Sequence, residues 1–551
     1  MKSKITYLLA VLFVFAAQSC KDDLADVKNT NAPTLESLKG EPGILALSKG
    51  GIYINGFGGY YNTIDDGLGN GLHLIVYGMH DAMGDLIYVP WGNNNFKYLD
   101  NPTDFTLDDN TVVPMPIGVS QPYETRLRND RAYGATNNFL PEWTYMYVMN
   151  NACNVLLANI DAATYLGDAD SKKNTLKAWC YFWKGYAYSR IGSMYIAGLI
   201  IDEPYKTNSD YVSNTEIIAE ASKNFDLSVA AMGLITSVDA YNEVMSKIIP
   251  SYCVHENGIP TTAEWTRNIN TMKARNLLAN KRVADMSVAD WTQLRTFADA
   301  GVTVSDAVFV IKTTATPSES IFSDNVFGSN SLATTTNDPT YFVSERLIQD
   351  YRPGDNRFTN NFDLLPSPEV NRRGRGLGFG TRYYLVNGGN DVNDAFTYAH
   401  ANDPGVDNHY MAGSFEENEL MRAEAEIQLG NIATGVGLID NVRDFQGANL
   451  AAINSASTKA EALEELRSER RVSLVFRGLG FYDARRNGVI DDKSKGGGRT
   501  GAVVLSNIPG TPFLNTNAFI NYNYLSYWDV PANELVFNNP SSGSAPVVSP
   551  E

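Results

Sequence analysis

The stretches LPEWTYMYVMNNACNVLLANI, residues 140–160, and SKKNTLKAWCYFWKGYAYSRIGSMY, residues 171–195, decide the fold class of this chain. In the first, Trp143, Met146, Tyr147, Asn150, Cys153, Val155, Leu156 and Ile160 mostly recur three or four residues apart, the period of one helix face. In the second, Leu176, Trp179, Cys180, Trp183, Ala187 and Ile191 repeat the pattern. Only a short polar link separates the two, so they are expected to pack as antiparallel helices.

The same periodicity returns on either side. A helix is expected around Asn70 to Tyr88, and further pairs near Thr215 to Leu234 with Ala263 to Val283, and near Ser414 to Gly430 with Thr434 to Phe445. Ser414 with Glu417, and Thr458 with Glu461, match the capping box, in which hydroxyl and carboxylate satisfy opposing backbone amides at a helix start. Gly430 stands where a helix C-terminal glycine belongs. Helix pairs recurring about every 34 residues, with small residues at the packing points, suggest tetratricopeptide-like repeats. Between them lie a strand-like run, AVFVIKT from Ala307 to Thr313, and long loops carrying Gly, Asn, Pro and aromatic residues. The expected fold class is therefore mostly α: tetratricopeptide-like helix pairs with long irregular loops and a few short strands.

With 44% hydrophobic and 19% charged residues among 551, the chain is composed to bury a sizeable core rather than to stay disordered. Its formal charge of -18, from 44 basic and 62 acidic residues, argues against nucleic acid as a partner. At the start, Lys2 and Lys4 precede an apolar run from Ile5 to Ala17. Such a run is too short to cross a hydrocarbon core of about 30 Å, so residues 1–19 are expected to be a secretory signal peptide. Ser19 and Cys20 resemble the lipobox of bacterial lipoproteins, although Ala17 replaces its usual Leu. On that reading Cys20 is acylated; the alternatives are a plain signal peptide or a buried apolar Cys. Lys21, Asp22 and Asp23 resemble the surface-export signal of Bacteroidetes lipoproteins. Residues 20–42 would then be the lipidated N-terminus and tether, and 43–551 a single domain in which a helical scaffold is interleaved with binding loops.

Chemistry that needs a catalytic or metal constellation finds little support. Cys153, Cys180 and Cys253 are an odd number with no CxxC spacing, and the first two are expected as thiols buried on apolar helix faces. The five histidines are scattered, no HExxH occurs, and Asp65 and Asp66 lack EF-hand spacing, so no cofactor or metal is expected. No GxSxG elbow occurs, and GGGRTG, residues 496–501, lacks the ending of a phosphate loop and reads as a flexible surface loop. Among 62 acidic residues no glycosidase pair can be selected. The chain is not expected to be an enzyme.

SERRVSLVFRGLGFYDARRNG, Ser468 to Gly488, resembles the C-terminal signature of the SusD/RagB family at Glu469, Arg470, Arg471, Phe476, Gly478, Phe481, Asp483 and Arg486. Ser473 and Arg477 stand where the family favours acids, and Gly480 where it favours Arg, so a rearranged set of ion pairs is expected here. PEWTYMYVMNNACNVL, LKAWCYFWKGYAYSRIGSM, NELMRAEAEIQLGN and YWDVPANELVFNN resemble further family segments in the family's order. The resemblance thus covers essentially the whole mature chain. It implies a SusD-like fold and a lipid-anchored outer-membrane lipoprotein, facing the cell surface, that captures oligosaccharide or polysaccharide. Delivery would be to a SusC-like TonB-dependent transporter, with no catalysis. The alternatives are a RagB-like subunit that binds peptide or another nutrient, and a surface glycoside hydrolase.

Sugar rings present apolar C–H faces, so a glycan binder offers exposed aromatic platforms with amides around them. The stretch GDLIYVPWGNNNFKYLDNP has that chemistry, with Trp91 and Tyr98 as platforms and Asn93, Asn94 and Asn95 between them. The resemblance adds that several family members carry a binding Trp with an Asn three residues on, as Trp91 and Asn94 do. A second reading makes Trp91 a loop anchor packed on helices and the asparagines turn formers. Tyr60 and Tyr61 are secondary candidates, and Trp265, Phe322 and Phe327 weaker ones.

Overall fold

The structure is a computed structural model that describes residues 35–54, 72–89, 97–116, 118–311, 342–370, 380–398, 408–507 and 512–550. Its principal helices are α1 (Glu41–Lys49), α2 (Leu72–Met83), α3 (Leu140–Asn159), α4 (Ala169–Met194), α5 (Asn214–Met232) and α6 (Val238–Ile248). There follow α7 (Thr262–Ala279), α8 (Val288–Asp299), α9 (Phe415–Gln428), α10 (Ile432–Phe445), α11 (Lys459–Ser473) and α12 (Gly480–Arg486). Chain neighbours pack as pairs: α3 on α4, α4 on α5, α7 on α8 and α9 on α10. The packing of α8 on α9 joins helices that lie far apart in sequence. This is the mostly helical, paired architecture expected, and none of the described helices is long and apolar enough to cross a membrane.

Local chemistry explains the boundaries. Full capping boxes open α5 at Ser213 and Glu216, α7 at Thr261 and Glu264, α8 at Ser287 and Asp290, and α11 at Thr458 and Glu461. At α9 only half of the expected box forms: Ser414 accepts from the Glu417 amide, while the Glu417 carboxylate is taken by Arg275. Gly430 follows α9 at φ 93°, the left-handed conformation that ends a helix. Small residues let the pairs close up, since a Cβ on Gly185 would lie 2.6 Å from the Phe225 ring and one on Gly192 2.9 Å from the Asn214 carbonyl oxygen.

The core is strongly aromatic. Trp179, Phe182, Trp183, Trp265 and Phe309 pack edge to face and tilted, with ring centroids 4.9–6.2 Å apart. Trp265 is completely buried there, which removes it as a ligand platform. Cys153, Cys180 and Cys253 are all buried and outside any disulfide.

Several expectations shift. α3 is buried on most of its circumference rather than on one face, because its polar residues have interior partners. Glu142 pairs with His80 and Arg190, and the Asn150 and Asn154 amides both donate to the Ile201 carbonyl. α5 packs chiefly on α4, not on α7, and between them lies the unforeseen α6, whose buried stripe is Ala240, Tyr241, Val244, Met245 and Ile248. α2 stops at Met83, since Gly84 and Asp85, the latter at φ 58°, turn the chain into the strand Ile87–Tyr88. Of the strand expected from Ala307 to Thr313, Val310–Ile311 form it and Ala307 to Phe309 do not, while Lys312 and Thr313 lie outside the described residues. Residues expected in the tether already touch the body: Leu38 is buried, and Glu41 and Lys39 exchange backbone hydrogen bonds with Thr164. Of the glycine-rich GGGRTG, the last three residues begin the strand Arg499–Ser506.

That strand belongs to a four-stranded antiparallel sheet in the order Arg499–Ser506, Phe513–Asn521, Asp104–Thr106, Val112–Pro114. Its register sets Ile520 opposite Phe105, so the C-terminal hairpin fastens the segment that carries Tyr98.

Candidate functional site

Two small strand pairs stand on α2 and bring distant parts of the chain together. Ile87 and Tyr88 pair antiparallel with Val343 and Phe342, and Val310 and Ile311 pair with Tyr410 and His409. The first pair continues directly from the end of α2. The second is tied to it by the Tyr77 hydroxyl, which donates to the Tyr410 carbonyl at 2.9 Å.

A buried charge cluster fixes this support. The Asp85 carboxylate accepts from Arg346 Nη2 at 2.6 Å, from the Tyr522 hydroxyl at 2.6 Å and from the Ser344 hydroxyl at 3.2 Å. Burial raises the Asp85 pKa, but the guanidinium of Arg346 outweighs it and holds the carboxyl below its ordinary value. Ser344 and Arg346 follow the strand Phe342–Val343, so the anion locks that strand against the end of α2. At the second pair, Arg477 lies 4.3 Å from the centre of the Tyr410 ring, and burial lowers the His409 pKa to about 4, keeping the imidazole neutral.

Tyr98 lies close to this support. The amide of Val89 donates to Asp100 Oδ2 at 3.2 Å, so the chain ends that bracket residues 90–96 are held together at their base. Tyr98 is half-buried, with the Arg128 guanidinium 4.8 Å and the Lys97 ammonium 5.0 Å from its ring centre. Arg128 also lies 5.2 Å from the Tyr133 ring and pairs with Glu124 at 2.7 Å, while its Nε is buried without a partner. The result is a tyrosine–arginine–tyrosine stack in which cations share the π faces of Tyr98. Arg131 continues the surface, 4.6 Å from the ring of Phe537, which is 78% exposed. Asn129 and Asn137 join these parts, Asn129 Oδ1 accepting from the Ala532 amide at 2.7 Å and the Asn137 amide donating to Asn533 at 3.2 Å. Tyr123, half exposed, adds another ring to the same stretch.

Of the sequence-proposed glycan contacts, Tyr98 and the buried Trp265 are the two among the described residues, and only Tyr98 reaches the surface. Trp91, Asn93, Asn94 and Tyr61 lie outside the described residues, as do Cys20, Tyr60, Phe322, Phe327, Asp65 and Asp66. The arrangement around Tyr98 offers flat apolar faces beside guanidinium donors, which suits a hydroxyl-rich ligand with apolar ring faces. Arg128, Tyr133 and Phe537 were not singled out in the sequence; for the first two a signal was present in three arginines, Arg126, Arg128 and Arg131, flanked by Tyr123 and Tyr133. Among the described residues no group of three or more His, Cys, Asp or Glu side chains could hold a metal ion.

The C-terminal signature is structural. Glu469 accepts from Arg357 at 2.6 Å and Arg443 at 2.8 Å, and Arg486 pairs with Glu424 at 2.6 Å and Asp483 at 2.8 Å. Where acids were the expected residues, Ser473 donates to Glu469, and Arg477 pairs with Glu416 at 2.6 Å. Gly480 sits against the backbone of Gly84, and its Cβ would come 2.7 Å from Leu86 Cδ1, so no larger side chain fits without movement.

With this geometry in view, residues 419–540 match the SusD family (SusD_RagB). No curated protein matches the chain. The fold is similar to that of a SusD-like carbohydrate binding protein from Bacteroides vulgatus ATCC 8482, with a TM-score of 0.54 and 15% identity over 92% of this chain and 98% of that one. It is similar to a SusD-like protein from Bacteroides fragilis NCTC 9343, with a TM-score of 0.52 and 14% identity over 92% and 98%. A structure with a xylogluco-oligosaccharide is similar at a TM-score of 0.55 and 15% identity, over 92% of this chain and all of that one.

Proposed function

We propose that the chain is a member of the SusD/RagB family that binds glycans at the cell surface and hands them to a SusC-like TonB-dependent transporter. The observation that carries the reading is the shared fold over nine-tenths of the chain with carbohydrate-binding relatives, one of them solved with a xylogluco-oligosaccharide. Acylation at Cys20 anchors the protein in the outer membrane, and the polar segment after it gives the body reach over the transporter. Trp91 and Tyr98 serve as platforms, Asn93 and Asn94 as hydrogen-bonding amides, and Tyr61 as a secondary contact. Arg128 presents Tyr98 and adds donors beside it. The protein holds and delivers its ligand without cleaving it.

Titration calorimetry of the chain against a panel of polysaccharides and their oligosaccharides tests this, with Trp91→Ala as the control. Saturable binding of at least one glycan, lost in Trp91→Ala and unaccompanied by hydrolysis, is the expected result. Binding of peptides with no response to any glycan would overturn the assignment.

A further inference from the structure

Three aliphatic side chains project into solvent at one end of the helical scaffold. Leu166, in the link between α3 and α4, is 80% exposed; Leu234, between α5 and α6, is 63% exposed; and Val238, the first residue of α6, is 71% exposed. Single exposed apolar residues are ordinary, whereas a cluster of them rimmed by polar groups marks a contact surface. Hydrogen bonds gather these three around the first turn of α4. Asp168 caps that turn at the Ser171 amide, the Ser171 hydroxyl accepts from the amides of Thr236 and Ser237 at 3.1 and 3.0 Å, and Asn174 donates to the Leu234 carbonyl at 3.4 Å.

The N-terminal chain enters the body at the same end. Thr164 exchanges backbone hydrogen bonds with Lys39 and Glu41, the Leu166 amide donates to Glu41 Oε2 at 3.2 Å, and Lys172, in the first turn of α4, pairs with Glu41 at 2.9 Å. Pro42, Leu45 and Ala46 of α1 border a shallow depression together with Leu166. Lysines and carboxylates here pair with one another: Lys172 and Lys247 both reach Glu243 at 2.8 Å, and Lys177 reaches Asp161 at 2.8 Å. The apolar tips, rather than a basic patch, therefore distinguish this end. The Tyr98 surface belongs to the opposite end of α4, where the Met194 carbonyl accepts from the Trp528 amide and the chain beyond Trp528 holds Asn129 through Val530 and Ala532 and sets Phe537 against Arg131. At about 1.5 Å per residue, the 26 residues of α4 set the two ends about 39 Å apart.

We propose that Leu166, Leu234 and Val238 rest in the headgroup layer of the membrane that carries the anchor, so that α4 stands on the bilayer and holds the capture surface at its far end, away from the lipid. The inference rests on the acylation of Cys20 proposed above. Fifteen residues lead from Cys20 to Leu35 and span at most about 50 Å, so the anchor keeps this end of the body near the bilayer. A surface held that close needs only a weak contact to be occupied, and three aliphatic tips supply a contact of that kind at the boundary between headgroups and acyl chains. Orientation of the capture surface is what the contact adds to attachment by the lipid alone.

The lipidated full chain on phosphatidylcholine vesicles tests this, with flotation reporting the anchor separately from the contact. Because Cys153, Cys180 and Cys253 are buried, a nitrobenzoxadiazole thiol dye labels Val238→Cys selectively in the native protein. Its emission is expected to shift to the blue and to fall by about half or more when the vesicle lipids carry spin labels in their acyl chains, while the same dye on Phe537→Cys keeps its emission. Leu166→Asp combined with Leu234→Asp, both at exposed positions, should leave Tm within about 1 °C and flotation intact, yet abolish the quenching at 238. Flotation with no quenching at 238, equal quenching at 238 and 537, or quenching that survives the double substitution overturns the contact and leaves the anchor standing. A chain that does not float overturns the anchor, and the contact falls with it.

Discussion

Replacing Glu469 by Gln should cost the protein about 3 kcal/mol at neutral pH and erase a defined part of its acid sensitivity. The carboxylate is fully enclosed and accepts from Arg357, Arg443 and Ser473. Burial pushes its pKa up, but the two guanidiniums outweigh burial and bring it to about 2 from an ordinary 4.5. A displacement of that size corresponds to about 3 kcal/mol, which agrees with the roughly 3–5 kcal/mol expected when one partner of a buried ion pair is removed. The sign follows from the depressed pKa: the contribution is complete above pH 4.5 and is lost as pH falls toward 2. For a chain of 551 residues an unfolding entropy near 2 cal/mol/K per residue converts 3 kcal/mol to a Tm difference of about 3 °C. Thermal denaturation of wild type and Glu469→Gln at pH 7, 5, 4 and 3 measures it. The gap should be full at pH 7 and shrink below pH 4.5, because carboxylates common to both proteins cancel. Equal Tm values at pH 7, or a gap that stays constant down to pH 3, would refute the reasoning.

Other perturbations probe separate links in the argument. Gly84→Ala would place a Cβ 2.5 Å from the Gly480 carbonyl carbon and 2.7 Å from the Phe481 amide, so a loss of several degrees in Tm is expected, whereas Gly437→Ala, with nothing within 4 Å on the exposed face of α10, should stabilise by about 0.5–1 kcal/mol. Burial raises the Asp81 pKa to about 8, against opposing hydrogen bonds from the backbone of Phe476, Gly480 and Gly478; its stabilising effect is complete below pH 3.8 and is lost as pH rises to 8, so Asp81→Asn should gain in Tm relative to wild type across that interval. With Cys153, Cys180 and Cys253 buried, a thiol reagent should find no reactive group among them in the native protein; on unfolding, three thiols should react if Cys20 is acylated and four if it is free. Tyr98→Ala should weaken glycan binding without moving Tm by more than about 1 °C, since the ring is only half-buried; unchanged affinity removes Tyr98 from the site.

What could be read from the sequence was whatever chemistry acts over one or two helix turns. The Thr458 and Glu461 box and Gly430 at the end of α9 are local signals, and each has its counterpart in the structure, whereas the one-sided repeat read in α4 does not, since that helix is buried nearly all round from Ala178 to Met194. Periodicity failed for α3 because interior partners neutralise its polar positions: Glu142 is written as a surface residue but meets Arg190 from α4 and His80 from α2. The same cause hid the partner of α5, since nothing local says which of two apolar helices lies nearer. Strand pairs such as Phe105 with Ile520 join residues about 400 positions apart, and no short window contains both. The candidate site divides along this line. Tyr98 was singled out by residue type alone, while the guanidinium that shares its π face comes from another element, and only the packing of the 121–127 helix beside it discloses that contact. The reading of Tyr98 changes accordingly: a ring already facing Arg128 has less open face for a sugar, and more donors beside it, than a bare loop tyrosine. Ligand preference at this surface should therefore lean toward glycans whose hydroxyl or carboxylate groups reach the arginine, and Arg128→Ala should separate stacking from hydrogen bonding. If Arg128 only holds Tyr98 in place, its loss weakens all glycans alike; if it donates to the ligand, acidic glycans suffer most.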